Sequence, residues 1–399
     1  MGGEPAGDLE IRLGTPGFFR RPDYHQVLRR LRSESPVHAT ADGMVALSRY
    51  EDVRDVSRDP ERFVSGRGVL INDPLRDPEG TGLGAFSILH LDPPLHAANR
   101  SEVKREFTPR AIRPLEDRIR TVVRDVFDGV DADRPIDLVE SLAAAIPLAV
   151  IAELLGVAGD DGRQLRRWSD AVIESPDGSS DEQAERVGEL MTFLLGHVEG
   201  TDNHPGGLIS LLRTTPVGDR LLTHAEIMGF CLTLLVAGNE TTRNLISGGA
   251  EALVAHPDQR QALAAEPERM PAAVEEMLRW VTPIQAFGRT AVVDTTIAGH
   301  PVGEGSFVVL LYASANRDES VFGSTADRFD VDRATPTPHL AFGFGEHVCL
   351  GSSLARLEAR VFFEELLDRY PRYRLDGEPT YTSSTLVNGA RTMPVVLSG

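Results

Sequence analysis

The stretch that decides the fold runs from Phe342 to Gly351 and reads Phe-Gly-Phe-Gly-Glu-His-Val-Cys-Leu-Gly. It places one cysteine, Cys349, in a glycine-punctuated loop just before a segment, 352–369, whose apolar residues recur at helical spacing. Gly345 and Gly351 tolerate backbone conformations and close approaches that a Cβ would block, so a flat group can lie beside the sulfur. The partial positive charge at the helix N-terminus favours the thiolate form of Cys349.

These ten residues resemble the haem-binding signature of the cytochrome P450 family, Phe-x-x-Gly-x-x-x-Cys-x-Gly. Phe342, Gly345, Cys349 and Gly351 fill its fixed positions, and Gly343 lies within it. The resemblance implies haem b (iron protoporphyrin IX) bound through the Cys349 thiolate, a ligand that in this family favours O–O cleavage. A lone cysteine after glycines is more often a buried, inert thiol, so the interpretation depends on the rest of the chain.

Composition and charge limit the classes of function. The chain has 399 residues, 41% hydrophobic and 25% charged, with a formal net charge of -19. So negative a protein is not expected to bind nucleic acid in general, because that binding needs a cationic face. The two cysteines, Cys231 and Cys349, lie in segments of different chemistry, which fits a reducing cytoplasm better than a disulfide framework.

No segment has the character of a membrane span or a signal peptide. The longest apolar run, residues 227–238, is too short to cross a bilayer, and residues 1–10 lack an apolar core. We therefore expect a cytoplasmic protein that makes no membrane contact.

The pattern along the chain predicts a mainly α fold with a small segregated β region, an α+β class. Alternating stretches at 36–47 and 292–311 predict strands. We expect a flexible start over 1–10 and a single haem domain over 11–399. The order of elements resembles the P450 layout over nearly the full length. Helical periodicity predicts helices at Leu115–Val130, Leu138–Leu155, Gly162–Glu174, Asp181–Glu199 and Thr223–His256.

The longest of these helices carries polar residues in the middle of an apolar segment. It begins with a capping box, Thr223 and Glu226, and residues 227–236 are apolar on all sides, as in a helix buried all round. The segment Ala237–Thr242 then reads Ala-Gly-Asn-Glu-Thr-Thr. Burying such groups costs free energy unless they are satisfied, so a purpose is expected for them.

This polar segment resembles the oxygen-binding motif of the P450 family at Ala237, Gly238, Glu240 and Thr241. The resemblance implies space for dioxygen beside the two small residues and a Thr241 hydroxyl that hydrogen-bonds the bound oxygen. It also implies that the Glu240 carboxylate relays protons, which O–O cleavage consumes. The alternative is structural: the Thr241 hydroxyl can bond back to the Ala237 carbonyl and bend the helix.

Four basic residues from separate segments are candidates to bind the two haem propionates. His96 and Arg100 lie four apart on one helix face and resemble the family's His-x-x-x-Arg element. Arg289 and His347 also match positions where the family usually has a propionate ligand. Taken singly, each is explained as well by an ordinary surface cation. Their joint occurrence, in order, favours the haem interpretation.

A second motif predicts a scaffold role without catalysis. Glu276 and Arg279 resemble the Glu-x-x-Arg motif of the family, in which the ion pair is buried and joined by a later arginine. Arg328 is the first choice for that arginine, and Arg333 is the alternative. Removing one partner of a buried pair costs roughly 3–5 kcal/mol, so these residues are assigned to folding and haem retention.

The resemblance implies a lipophilic substrate and external electron donors. Val236, Ile284 and Leu386 lie in largely apolar segments and are our candidates for substrate contact. A steroid, a terpenoid, a fatty acid and a polyketide-type product all remain open. The chain has no flavin or iron–sulfur domain, so electrons from NAD(P)H would arrive through ferredoxin reductase and ferredoxin. An acidic donor needs a basic patch. Its candidate residues are Lys104, Arg105, Arg110, Arg113, Arg356 and Arg360.

Three activities were weighed. The leading one is a haem-thiolate monooxygenase that inserts one oxygen atom of O2 into a C–H bond. A non-catalytic haem sensor or protein-recruiting relative is disfavoured, because Cys349, Glu240 and Thr241 are all present. A cysteine hydrolase using Cys349 with His347 is disfavoured because residues two apart in a loop do not normally face each other. The glycine spacing does not match a dinucleotide-binding loop.

Overall fold

The structure is a computed structural model, and it describes residues 10–77, 79–80, 87–157, 164, 167–168, 181–200, 207–214, 216–217, 220–334 and 337–398. The predicted helix at Gly162–Glu174 lies largely outside the described residues, as do residues 1–9 of the predicted flexible start. The single domain over 11–399 therefore stays a prediction.

Helices make up most of the described chain. The α-helices are α1 (Tyr24–Glu34), α2 (Tyr50–Ser57), α3 (Leu95–Lys104), α4 (Pro109–Ile112), α5 (Glu116–Asp128), α6 (Ala145–Leu155), α7 (Asp181–Glu199), α8 (Leu208–Thr214), α9 (His224–Ala255), α10 (Pro257–Ala265), α11 (Met270–Val281), α12 (Tyr312–Ala315), α13 (Glu319–Phe322) and α14 (Ser352–Arg369).

The strands are short, with two to five residues each. They are β1 (Val37–Ala39), β2 (Val45–Leu47), β3 (Phe63–Val64), β4 (Ile136–Asp137), β5 (Pro216–Val217), β6 (Arg220–Leu221), β7 (Phe287–Ala291), β8 (Thr295–Ile297), β9 (His300–Val302), β10 (Phe307–Leu310), β11 (Arg374–Leu375), β12 (Thr380–Tyr381), β13 (Ala390–Thr392) and β14 (Pro394–Val396). The predicted α+β class is confirmed.

The largest sheet in the described part of the chain has the order β1-β2-β10-β7-β3. Strands β2 and β10 run parallel, and the other neighbours run antiparallel. Both stretches predicted as strands contribute to it, since 36–47 contains β1 and β2 and 292–311 contains β10. A second sheet has the order β11-β14-β4. It pairs β14, near the end of the chain, with β4, which lies just before the segment 138–155.

Helix α9 is the centre of the helical region. Its capping box forms as predicted: the Glu226 N–H donates to Thr223 Oγ1 (3.3 Å), and the Thr223 N–H donates to Glu226 Oε2 (2.8 Å). The helix has 32 residues and is therefore ~48 Å long. It packs against α6, α7, α11 and α14, which explains why it is apolar on all sides in its first half.

The segment predicted as one helix over Leu138–Leu155 is divided in two. Val139–Ala143 forms a π-helical turn in which the Ala144 N–H donates to the Val139 carbonyl (3.0 Å), and α6 follows it. Pro147 is the physical reason, because proline has no N–H and its ring crowds the carbonyl four residues earlier. One wider turn relieves that crowding and re-aims α6 along α9.

Candidate active site

The cysteine loop is shaped by two glycines in the left-handed region. Gly343 and Gly345 have φ of +68° and +72°. A Cβ on Gly345 would lie 2.1 Å from the carbonyl oxygen of Ser57 at the end of α2, so only glycine fits there. The Cys349 N–H donates to the Phe342 carbonyl (2.8 Å) and closes the loop.

The backbone at Gly351 does not have the conformation that only glycine tolerates, contrary to the prediction from the sequence. Its φ is −81°, which any residue adopts, and a Cβ there would meet nothing within 4 Å. The local backbone does not require glycine at this position. The open space beside it is consistent with the close approach of a flat group from that side.

The Cys349 thiol is exposed on one side and otherwise surrounded by protein. Desolvation raises the pKa of this thiol, whereas the Gly351 N–H and the guanidinium groups of Arg100 and Arg356 lower it. Desolvation prevails, so the helix N-terminus alone does not produce the thiolate that the sequence led us to expect. A bound metal cation would reverse this balance, because a coordinating thiol is deprotonated outright.

Phe342 packs between two basic side chains beside the cysteine. The Arg356 guanidinium lies 4.5 Å from the ring centroid, and the His339 ring centroid lies 5.8 Å away. Glu275 on α11 holds Arg356 through two contacts of 2.6 and 2.9 Å. Desolvation raises the pKa of Glu275, but its bonds to His339 and Arg356 outweigh this and lower the pKa to about 2. The loop is thereby joined to α11.

The four predicted propionate ligands do come together. The ring centroids of His96 and His347 lie 4.1 Å apart, and Arg100 donates to the carbonyl of Val348 next to the cysteine. Arg289 is buried in β7 and lowers the pKa of both histidines. Helix α3, strand β7 and the cysteine loop therefore place basic groups at one point.

This basic cluster has the electrostatics of a site for carboxylates. Desolvation and then the neighbouring arginines lower the pKa of His96 to about 4 and that of His347 to about 2. His96 Nε2 is buried without a hydrogen-bond partner among the described residues. Arg289 donates to the Gly288 carbonyl (2.7 Å) and forms no ion pair with a described acid. Buried cations normally have an acidic partner, so the residues present fit the two propionates of haem.

On α9, the exposed side includes Ala237 and the half-buried Thr241. The Thr241 hydroxyl donates to the Ala237 carbonyl (2.5 Å), which is the structural alternative considered from the sequence. Gly238 does not face this side, because a Cβ on it would lie 2.3 Å from Ile151 Cδ1 of α6. Glycine at this position permits the close packing of α6 on α9, and the role of Gly238 in making space for dioxygen stays a prediction.

Glu240 is buried and 2% exposed. Its carboxylate pairs with the guanidinium of Arg243, and its Oε1 accepts a bond from Asn244 Nδ2 (3.1 Å). These partners satisfy the charge that made an acid in mid-helix costly. They also mean that Glu240 must exchange a partner before it passes a proton.

Known proteins match this arrangement over nearly the whole chain. A family profile described as Cytochrome P450 matches residues 198–383. The steroid C26-monooxygenase of Mycolicibacterium smegmatis is 34% identical and covers 98% of this chain and 96% of its own length.

The chain belongs to the cytochrome P450 family.

Two further relatives agree. The linalool 8-monooxygenase of Pseudomonas putida is 35% identical, with 96% of this chain and 98% of that protein covered. A P450 of Bacillus megaterium, solved in complex with testosterone, has a TM-score of 0.84 at 33% identity, with 94% of this chain and 98% of that chain covered. This protein is thus a cytochrome P450 monooxygenase, and its family implies a haem-iron cofactor. Among the described residues, no helix combines the length and apolar character that crossing a bilayer requires.

The buried scaffold of this P450 corrects one prediction. Arg279 makes two bonds of 2.7 Å to Glu276, and the third member is Arg333, whose Nε lies 3.1 Å from Glu276 Oε2. Arg328, the first choice from the sequence, is exposed and contributes only its carbonyl oxygen, which accepts from Arg279 (2.9 Å). The chain reverses direction after Phe329, so the later arginine is the one that returns to Glu276.

Sequence reasoning missed Glu358, a buried acid on α14. It is 2% exposed, and its Oε1 has no hydrogen-bond partner among the described residues. Desolvation raises its pKa to about 8, although a bond from Thr242 of α9 acts in the other direction. The signal was present, because Glu358 lies four residues after Leu354 and three before Val361, within the apolar stripe of the helix.

Two of the three candidate substrate contacts lie side by side. An isolated bridge pairs Ile284 with Val387, and the Gln285 N–H donates to the Leu386 carbonyl (2.9 Å). Ile284 and Leu386 are half-buried, as is Val236, which precedes Ala237 on α9.

The predicted basic patch is smaller than its six candidates. Arg356 is neutralised by Glu275, and Arg360 pairs with Glu116 (2.6 Å) and Glu364 (3.3 Å). The remaining four are exposed and form no ion pair with a described residue. They are Lys104, Arg105, Arg110 and Arg113.

Proposed function

We propose that this P450 hydroxylates a lipophilic small molecule with O2, with haem b held by the Cys349 thiolate. The supporting observation is the cluster of basic side chains beside the cysteine loop, in which Arg100 and Arg289 form no ion pair with a described acid. When bound, haem supplies the activation of dioxygen and the insertion of one oxygen atom into a C–H bond. The residues assigned to haem binding are His96, Arg100, Ala237, Arg289, Phe342, Gly343, Gly345, His347 and Gly351.

The basic cluster orients the cofactor through its propionates. Arg100 and Arg289 supply fixed charge, and His96 and His347 supply ring N–H donors. Carboxylates placed here would raise the pKa of both histidines, because the charged imidazolium would gain a partner. Glu276, Arg279 and Arg333 act only on stability, since they lie in the α11 network.

Thr241 and Glu240 are assigned the handling of protons at the reacting atoms. The Thr241 hydroxyl, which donates to the Ala237 carbonyl, would instead donate a hydrogen bond towards dioxygen when haem supplies it. Glu240 relays protons when its carboxylate exchanges the bond from Asn244 or Arg243 for one from water. Ala237 has the smallest side chain that keeps the helix intact and leaves this side open.

The substrate class follows from the apolar candidates Val236, Ile284 and Leu386 and from the relatives. Those relatives are named for steroids and linalool, and one neighbour binds testosterone. A steroid, terpenoid, fatty acid or polyketide-type product fits such a surface.

Electrons are proposed to pass from NAD(P)H through ferredoxin reductase to ferredoxin, which docks on the basic patch. Lys104, Arg105, Arg110 and Arg113 are free to attract an acidic protein, whereas the chain as a whole carries a net charge of -19. The two free thiols, Cys231 and Cys349, suit a cytoplasmic location.

The decisive experiment is a carbon monoxide difference spectrum of the reduced protein. We expect the absorption signature of a thiolate-ligated haem in the wild type and in Cys231→Ala, and its loss in Cys349→Ala. Cys231 is the matched control because it is the chain's other thiol and is buried in α9. An unchanged signature in Cys349→Ala would refute the assignment.

A further inference from the structure

The hydroxyl of Thr233 lies on the same side of α9 as Ala237, one turn before it. Thr233, Ala237 and Thr241 follow one another at four-residue spacing and therefore share one helix face. Ala237 is exposed and the two threonines are half-buried. The residues around Thr233 on α9 are apolar, which makes its hydroxyl a polar point on an apolar wall.

This hydroxyl has two neighbours but only one proton. Thr233 Oγ1 lies 2.7 Å from the Gly229 carbonyl oxygen and 3.0 Å from Ser87 Oγ. Thr233 Oγ1 is the donor in both contacts, so its one proton is shared between the Gly229 carbonyl and Ser87 Oγ, and its lone pairs stay free to accept. Ser87 Oγ accepts the Leu89 N–H (3.2 Å) and keeps its own proton to donate. Together the two hydroxyls can donate one hydrogen bond and accept another.

Ser87 is held rigidly in this position. It is buried and begins a short 3-10 turn, Ile88–His90. The other end of the turn is fixed because His90 Nε2 bonds Asp73 Oδ2 (2.7 Å), and the same carboxylate accepts the N–H of Val69 (2.9 Å). A hydrogen-bonding group that is ordered beforehand costs little conformational entropy when it binds a ligand.

This wall belongs to the same apolar cluster as the cysteine loop. Leu350, directly after Cys349, packs against that cluster, as do Ile88, directly after Ser87, and Val236 on α9. Residues next to Ser87, Thr233 and Cys349 thus adjoin one apolar cluster.

We infer that the Ser87–Thr233 pair anchors an oxygen atom of an otherwise apolar substrate and thereby selects the carbon that is oxidised. The inference rests on the proposed function. The ligand class is an apolar molecule with a hydroxyl or ketone oxygen. Along α9, Thr233 lies ~6 Å from Ala237 and ~12 Å from Thr241, which sets the span from the anchored oxygen to the oxidised carbon.

The test compares matched probes that differ only in oxygen: testosterone with 5α-androstane, and 1-dodecanol with dodecane. Dissociation constants are measured on the haem-loaded protein by equilibrium dialysis and by the ligand-induced change in its visible spectrum. Wild type is expected to bind the oxygenated member of at least one pair about tenfold more tightly, which is ~1.4 kcal/mol. Thr233→Val removes that preference, and Thr233→Ser, which keeps a hydroxyl, restores it.

The variants also separate anchoring from a merely structural bond. If the Ser87–Thr233 bond only holds the 3-10 turn against α9, Thr233→Val weakens the binding of the oxygenated and the oxygen-free probe equally. In that case the inference is overturned. It is likewise overturned if the preference survives Thr233→Val, or if neither oxygenated probe binds. Thr121→Val is the control, because the Thr121 hydroxyl makes the same backward bond (3.0 Å to the Asp117 carbonyl) on exposed α5.

A second readout is the position of oxidation. In wild type an anchored probe gives one dominant product, whereas Thr233→Val spreads oxidation over neighbouring carbons without a comparable change in kcat. If the thiolate-haem signature is present but Thr233→Val keeps the wild-type preference for oxygenated probes, the anchoring inference is overturned and the proposed function is unaffected. Absence of the signature sinks the proposed function itself.

Discussion

Arg333 Nε lies 3.1 Å from Glu276 Oε2, so this buried glutamate is shared by two arginines, Arg279 and Arg333. Arg279 is 2% exposed, so the cluster is deep in the protein. Arg279 also donates to the carbonyls of Asn316 and Ala326 (2.8 Å each), which ties α11 to the segment after α12.

We predict that Arg333 and Arg328 differ sharply in their contribution to stability. Arg333→Met removes one cation from Glu276 and leaves the carbonyls of Phe322 and Thr325 without their donor, so it is expected to lower the free energy of unfolding by about 3 kcal/mol. Arg328→Met removes only an exposed side chain, with an effect under ~0.5 kcal/mol. Urea unfolding followed by circular dichroism measures both. Equal losses of unfolding free energy in the two variants would contradict the assignment of Arg333, and not Arg328, as the second arginine of Glu276.

Glu358 is expected to make stability depend on pH. Its folded pKa is raised to about 8 from 4.5, so the folded state binds more protons between these values and loses stability as pH rises through that window. Glu358→Gln removes this loss. The variant should gain on the order of 2–4 kcal/mol relative to wild type between pH 5 and pH 8. The exposed Glu61→Gln should gain nothing, and parallel pH profiles for wild type and Glu358→Gln would contradict the prediction.

Arg289 is expected to act in opposite directions on two properties. Because desolvation lowers the pKa of its guanidinium and no described acid pairs with it, Arg289→Met should stabilise the haem-free protein. The same change should speed haem transfer to excess apomyoglobin by about tenfold, since a propionate loses a charged donor. If Arg289→Met loses haem faster but the haem-free protein gains no stability, the faster loss would be explained by damage to the packing of β7 and not by the missing charge.

The basic patch is testable through electron-transfer kinetics. Arg110→Glu with Arg113→Glu should slow reduction by an acidic ferredoxin about tenfold at low salt, with the difference shrinking as ionic strength rises. Arg134→Glu with Arg374→Glu changes net charge equally at exposed positions elsewhere and serves as the control. Stopped-flow reduction at several salt concentrations measures the effect. Identical slopes for the two double variants would exclude the patch as the docking site.

The sequence was most informative where one local rule acts alone. The bounds of α7 and α14 were predicted to the residue, because apolar periodicity and the flanking glycine or acidic start mark both ends. The capping box of α9 is equally local. Gly345 could be assigned to a tight approach because signature spacing leaves few other purposes for a glycine there.

What the sequence could not supply depends on neighbours that are distant along the chain. Whether Gly238 opens a cavity or admits Ile151 depends on which helix crosses that face. The choice between Arg328 and Arg333 depends on where a loop returns, and the burial of Glu358 depends on α9 packing over α14. The π turn relieves the crowding at Pro147, and the apolar periodicity of residues 138–155 does not show how the backbone does so.

The contact between Gly345 and the Ser57 carbonyl has a consequence for laboratory evolution of this enzyme. Two main chains meet there with no room for any side chain between them. In a pool of variants randomised at 342–351, sequencing of the survivors should recover glycine alone at position 345 and several small residues at position 351. Diversity aimed at new chemistry is therefore wasted at the first position and still open at the second.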